Sequence, residues 1–258
     1  MTAIGVFDSG VGGLSVLKHI RAALPGHDLL YVADSGHVPY GDKTQDYIRE
    51  RSLALTQFLV DEGAAAVVVA CNTATAAAAA YLRDRFTLPI VAMEPAVKPA
   101  VAATRSGVVG VLATVGTLES ARFAALLEQY AGDVEIVMQA CPGLVEQVEA
   151  GELESAATRA LVERYTRPLI ARGADTLVLG CTHFPYLTPV ITELVGSDVR
   201  LIDTGEAVAR QVVRRLPAAV SRAEAKAPTE RFWSTGDLGA ARRIVSQLWG
   251  RAVAVGAP

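Results

Sequence analysis

The sequence predicts an α/β protein made of two similar parallel-sheet domains that face each other across an active site, a pseudo-symmetric duplication. Three observations carry that expectation. Short β-branched runs alternate with helix-like stretches along the chain. Several runs are apolar throughout, as strands buried on both faces must be; Val67-Val68-Val69 and Leu177-Val178-Leu179 are examples. The chain also repeats itself. Residues 5–15 (GVFDSGVGGLS) align with 110–120 (GVLATVGTLES), and 64–73 (AAAVVVACNT) with 174–183 (ADTLVLGCTH), at offsets of 105 and 110.

Taken in order, strands are expected at 4–7, 28–33, 66–70, 90–93, 107–112, 135–139, 176–179 and 200–202, each followed by a helix-like stretch. Residues 217–228, rich in Ala, Pro and charge, form the most loop-like stretch. A strand-like run at 231–234 follows, then a helix over 238–249 with Asp237 as N-cap and Gly250 past its end. This tail completes the first unit rather than forming a third. The expected domains are therefore 1–97 plus 208–258, carrying Cys71, and 98–207, carrying Cys181.

Composition narrows the function classes. The chain has 258 residues, 51% hydrophobic and 20% charged, with a formal net charge of −3. Its basic residues are scattered rather than gathered on a face, which argues against direct nucleic-acid binding. The longest apolar run, 64–82, is broken by Cys71-Asn72-Thr73 and Thr75, so no membrane span is expected. No basic region and cleavage site open the chain, and the three cysteines cannot all pair, so a reduced, cytoplasmic protein is expected.

Strand-end loops are where open α/β sheets gather ligand-binding groups. Five here are polar and small: Asp8-Ser9-Gly10, Pro39-Tyr40-Gly41, Cys71-Asn72-Thr73, residues 114–117, and Cys181-Thr182-His183. Glycines 10, 12 and 13 let backbone come close to a ligand. A cysteine after a buried strand and at a helix N-terminus is expected to have a lowered pKa. Cys71 and Cys181 occupy equivalent places in the two repeats, whereas Cys141 reads as core. Two such thiols suit an acid and a base on opposite faces of one sp³ carbon, with roles that swap when the other enantiomer binds. His183 and Asp8 stand close enough in sequence to those loops to relay or hold a proton. Rival readings lack parts. A Walker loop needs Gly-Lys-Ser/Thr where Gly13-Leu14-Ser15 stands, an aspartyl-phosphate phosphatase needs a second Asp where Gly10 stands, and a metal site finds no CxxC pair.

The motifs FDSGVGGLSV (7–16), PYG (39–41), ACNTATA (70–76), ATVGT (113–117) and GCTHFPYL (180–187) occur in the order found in glutamate racemases, and GDLGAARRI near the end resembles that family's closing segment. The resemblance covers nearly the whole chain. It implies a pyridoxal-independent enzyme needing no cofactor or metal, dimeric, interconverting L- and D-glutamate for peptidoglycan. It implies Cys71 and Cys181 as the acid/base pair, assisted by Asp8, His183 and Glu149. It also implies a pocket lined by Asp8, Ser9, Tyr40, Gly41, Asn72, Thr73, Thr114, Thr117, Thr182 and His183. Related aspartate and hydantoin racemases share the cysteines but not the full motif set. Some members of the family also bind DNA gyrase, and no residue here points to that. Three positions depart from the family pattern: His37 for Arg, Thr75 for Ser and Phe184 for Tyr, and His37 is expected to alter the charge of the site.

Overall fold

The computed structural model describes residues 3–216 and 227–258, so most of the loop-like stretch read at 217–228 lies outside the described residues. The first half runs β1 (Ala3–Asp8), α1 (Leu14–Ala23), β2 (Asp28–Ala33), α2 (Gln45–Asp61), β3 (Ala64–Val69), α3 (Asn72–Arg83) and β4 (Ile90–Ala92). The second runs α4 (Val97–Ala103), β5 (Val108–Ala113), α5 (Val115–Leu118), α6 (Ala121–Tyr130), β6 (Glu135–Ala140), α7 (Leu144–Ala150), α8 (Ala156–Ala171), β7 (Thr176–Leu179), α9 (Thr188–Val195) and β8 (Arg200–Ile202). The chain closes with α10 (Gly205–Arg215), β9 (Glu230–Ser234), α11 (Leu238–Trp249) and β10 (Val255–Gly256).

Two sheets result, parallel throughout, with orders β10-β9-β2-β1-β3-β4 and β6-β5-β7-β8. The core order of the first, β2-β1-β3-β4, is the order of the second with β1, β2, β3 and β4 replaced by β5, β6, β7 and β8. The internal repeat in the sequence is thus a repeat in space. All eight expected strands form, as does the ninth; the short β10, two residues long, gives too little pattern to be read in advance. Asp237 caps α11 through a bond from the Ala240 amide at 2.7 Å, and Gly250 takes the left-handed conformation that ends it.

Alternating side chains fill different layers, as period-two strands require. Ile4, Val6, Tyr31, Val68, Leu177 and Leu179 join one apolar cluster that runs from the first sheet into the second. Phe7, Val32, Val67 and Val69 face a separate cluster under α2 and α3, and Val109, Val111 and Val178 face a third under α4 and α6. The shared cluster ties the halves together. The boundary expected between 207 and 208 falls inside α10, which packs on α1; we place the return to the first domain at Thr204, ahead of that helix. Among the described residues no helix is long and apolar enough to cross a membrane.

Candidate active site

The carboxyl ends of the two sheets meet, and hydrogen bonds bridge them directly. Asn72 Nδ2 donates to the Gly180 carbonyl at 2.9 Å, and Thr182 Oγ1 to Asp8 Oδ2 at 3.3 Å. Thr73, Thr114 and Thr117 close a triangle of hydroxyls with sides of 2.9, 3.1 and 3.0 Å. A narrow cavity of about 10 Å³ lies between these loops, lined from one side by Ser9, Tyr40, Gly41, Cys71, Asn72 and Thr73 and from the other by Thr114, Thr117, Cys181, Thr182 and His183. Every pocket residue expected from the sequence lines it except Asp8, which lies behind Ser9 and is fully buried.

Cys71 ends the loop after β3 and is the N-cap of α3, its Sγ accepting from the Ala74 amide at 3.4 Å. It also lies 3.7 Å from Ser9 Oγ. The expected lowering of its pKa does not hold. Burial and the charge of Asp8 push the thiol up, outweighing the bonds from Ala74 and Ser9. Local capping favours the thiolate, but a closed apolar shell and a carboxylate arriving from β1 favour the thiol. Cys181 departs from expectation differently: after β7 comes a turn and a short 3-10 segment, Phe184–Leu187, so this cysteine caps no α-helix. Its Sγ lies 3.6 Å from His183 Nδ1 instead.

His183 and Glu149 form the other half of that arrangement. His183 Nε2 is 2.6 Å from Glu149 Oε1. Burial alone would lower the imidazole pKa, but its bonds to Cys181 and Glu149 and their charges raise it well above the ordinary value, so His183 holds a proton. Glu149, on α7, also takes the Val11 amide on Oε1 at 2.6 Å and the Ser35 hydroxyl on Oε2 at 2.9 Å, binding both domains together. Of the three glutamates near 146–152, it is the one bonded to His183.

The glycine-rich loop serves this closure. A Cβ on Gly10 would lie 2.0 Å from Glu149 Oε1, and one on Gly12 2.3 Å from His183 Nδ1. What approaches the bare backbone is thus the opposite domain. The Gly13 amide donates to Asp8 Oδ2 at 2.7 Å. Two loop amides, those of Val11 and Gly13, are therefore committed to carboxylates of the protein itself. Burial pushes the Asp8 carboxyl up to about 6, against the opposing pull of the His183 charge and the Gly13 amide.

Cys141 is buried, its Sγ donating to the Gln139 carbonyl at 3.3 Å, and it stays out of the cavity between the thiols. No group of three or more His, Cys, Asp or Glu among the described residues is placed to hold a metal. His37 is not among the residues lining the cavity; its Nδ1 lies 2.5 Å from Tyr47 Oη on α2. Thr75 keeps a hydroxyl function, accepting from the Met93 amide at 3.3 Å, and Phe184 is fully buried. Sequence reasoning missed Asp34, Ser35, Arg51 and Thr235, which support the site from behind. Asp34 carried a usable signal, since it directly follows β2 as Asp8 closes the neighbouring β1.

The model of the Asp/Glu/hydantoin racemase family matches residues 4–212. The glutamate racemase of Pseudomonas aeruginosa is 58% identical over 255 residues, 98% of this chain and 96% of its own. That of Ectopseudomonas mendocina is 60% identical over 248 residues, covering 96% and 94%. Among solved structures, a Bacillus anthracis glutamate racemase isoform superposes with a TM-score of 0.89 at 33% identity, covering 100% and 97% of the two chains. The Escherichia coli glutamate racemase, in complex with L-glutamate and the activator UDP-MurNAc-Ala, superposes with a TM-score of 0.87 at 32% identity, covering 99% and 97%.

Proposed function

The chain belongs to the Asp/Glu/hydantoin racemase family and is an amino-acid racemase, and from that premise we propose that it interconverts L- and D-glutamate with Cys71 and Cys181 as the two proton carriers. The observation that carries the mechanism is the placement of two thiols at equivalent strand ends of a duplicated fold, both lining one closed cavity. Starting from L-glutamate, the Cys181 thiolate takes the α-hydrogen as a proton and becomes a thiol. The electron pair left on carbon takes the Cys71 proton from the other face, leaving Cys71 as the thiolate. The reverse direction exchanges the roles. A raised thiol at Cys71 and a charged His183 beside Cys181 match the starting state this direction needs.

Other groups bind and orient. Asn72 Oδ1 is a buried acceptor with no partner among the described residues, and the substrate ammonium supplies a donor for it. Asp8, ionised above about pH 6, adds a negative charge for that ammonium. The hydroxyls of Thr73, Thr114 and Thr117 exchange their contacts with one another for contacts to the two carboxylates, with Tyr40 and Gly41 lining the cavity beside them. The enzyme works in the cytoplasm as a homodimer, without cofactor or metal, and its D-glutamate goes to peptidoglycan.

Purified protein incubated with L-glutamate and followed by optical rotation tests this reading: the rotation should decay to zero. Aspartate should be a poor substrate, because one fewer methylene leaves a buried donor unpaired at a cost of about 1–3 kcal/mol. Comparable kcat/KM for the two amino acids would overturn the assignment of substrate. Activity lost on dialysis against a chelator, or restored by pyridoxal phosphate, would overturn the thiol mechanism.

A further inference from the structure

We propose that Arg51 is a positioning residue for this pocket, acting through Asp34 on Tyr40; the inference rests on the racemase reading above. Asp34 is fully buried, and its carboxylate takes four hydrogen bonds from three side chains. Arg51 donates from Nη2 to Oδ1 at 2.6 Å and from Nε to Oδ2 at 3.0 Å. Thr235 Oγ1 donates to Oδ1 at 2.9 Å, and the Tyr40 hydroxyl to Oδ2 at 2.5 Å. One carboxylate thereby joins the end of β2, the turn at Pro39-Tyr40-Gly41, the helix α2 and the loop after β9.

The consequence falls on the pocket. Tyr40 is 1% exposed and lines the cavity beside Cys71. Gly41 reaches the opposite domain, where a Cβ on it would stand 3.0 Å from Thr114 Cβ. Burial and the charge of Asp34 push the Tyr40 phenol far up, so it remains a donor. The turn is therefore held through the orientation of the Asp34 carboxylate. Arg51, with a side chain 25% exposed, supplies the one guanidinium among the described residues that pairs with that buried carboxylate, and its two prongs fix the plane of the carboxylate. A lysine can supply the charge but not the fork. Arg51 touches none of the residues that exchange protons, so its loss should weaken substrate binding more than turnover.

The test compares R51K, R51Q and the double variant D34N/R51Q in the full chain, using steady-state racemisation of both enantiomers with thermal melting alongside. R51K and R51Q should raise KM about tenfold while kcat falls by no more than about threefold. D34N/R51Q should bring KM part-way back, because no buried charge is then left unpaired. Should R51Q fail to fold, R51K and the double variant decide by the same ratio. A folded R51K with unchanged KM, or one losing kcat at constant KM, overturns the role of Arg51 alone. An unaltered chain that leaves L-glutamate optically unchanged overturns the racemase reading and this inference with it.

Discussion

The surroundings of Cys71 and of Cys181 differ more than the duplicated strands beneath them. Both thiols follow the third strand of a repeat, β3 in one and β7 in the other. At Cys71 the neighbours are a hydroxyl, a helix amide and, behind Ser9, a buried carboxyl. At Cys181 the neighbour is a protonated imidazole backed by a carboxylate. Burial and the Asp8 charge push the Cys71 thiol up, whereas Cys181 has an imidazole and, behind it, a carboxylate as its neighbours. The duplicated strands thus place the two thiols at equivalent ends, while the loops give each thiol different neighbours.

Replacing either thiol should give the largest effect. C71S and C181S should each lose racemisation by at least about a thousandfold, since a hydroxyl cannot exchange protons at neutral pH and general acid–base groups contribute about 10²–10⁴ each. In deuterated water the two variants should exchange the α-hydrogen of opposite enantiomers, C71S that of L-glutamate and C181S that of D-glutamate, read by mass spectrometry of recovered substrate. Racemisation near the parental rate in either variant would end the two-thiol account.

D8N probes the Cys71 side and should lower kcat/KM by about a hundredfold. The carboxyl pKa rises from 3.8 in the unfolded chain to about 6 in the folded one. The folded protein therefore holds an extra proton between those pH values, and stability falls as pH rises through that window, by about 3 kcal/mol in all. D8N should lack this loss and melt higher than the parent at pH 8, although it is less active. The acidic limb of the parental kcat/KM profile, near pH 6, should vanish with it. A variant that melts lower at pH 8 would contradict the penalty of burying this charge.

E149Q probes the Cys181 side and should cost about tenfold in kcat. Without the carboxylate, His183 gives up its proton at lower pH, so the basic limb of the rate profile should move down in pH; an unmoved limb would detach His183 from catalysis. C141A should change least. That thiol lies outside the cavity between the reacting pair, and activity should stay within about twofold, with a small loss in Tm from the buried methyl-sized void. A larger drop in activity would extend the site beyond the two half-sites compared here.

The strand pattern and the paired cysteines were legible because each depends on local sequence: a buried parallel strand is a continuous apolar run, and a strand-end loop follows it directly. Asp8, Asn72 and Thr182 were legible for the same reason. What was not legible came from residues distant in sequence. Glu149, named in advance only through the family resemblance, shares a helix with Glu146, and it is contacts distant in sequence, with His183, the Val11 amide and the Ser35 hydroxyl, that single it out. The upward shift at Cys71 depends on its burial and on Asp8 arriving from β1, neither of which a reading of the CNT loop contains. Arg51 and Thr235 meet at Asp34 from opposite ends of the first domain.

The unlike partners of the two thiols have a kinetic consequence. Two enantiomers in water have equal free energy, so their equilibrium constant is one. The Haldane relation then requires kcat/KM to be the same in both directions, however different the two flanks of the carbon are. An imidazolium beside one sulfur cannot make the enzyme favour one product. It can only trade turnover against affinity, so a direction with the higher kcat must also have the higher KM, in the same ratio.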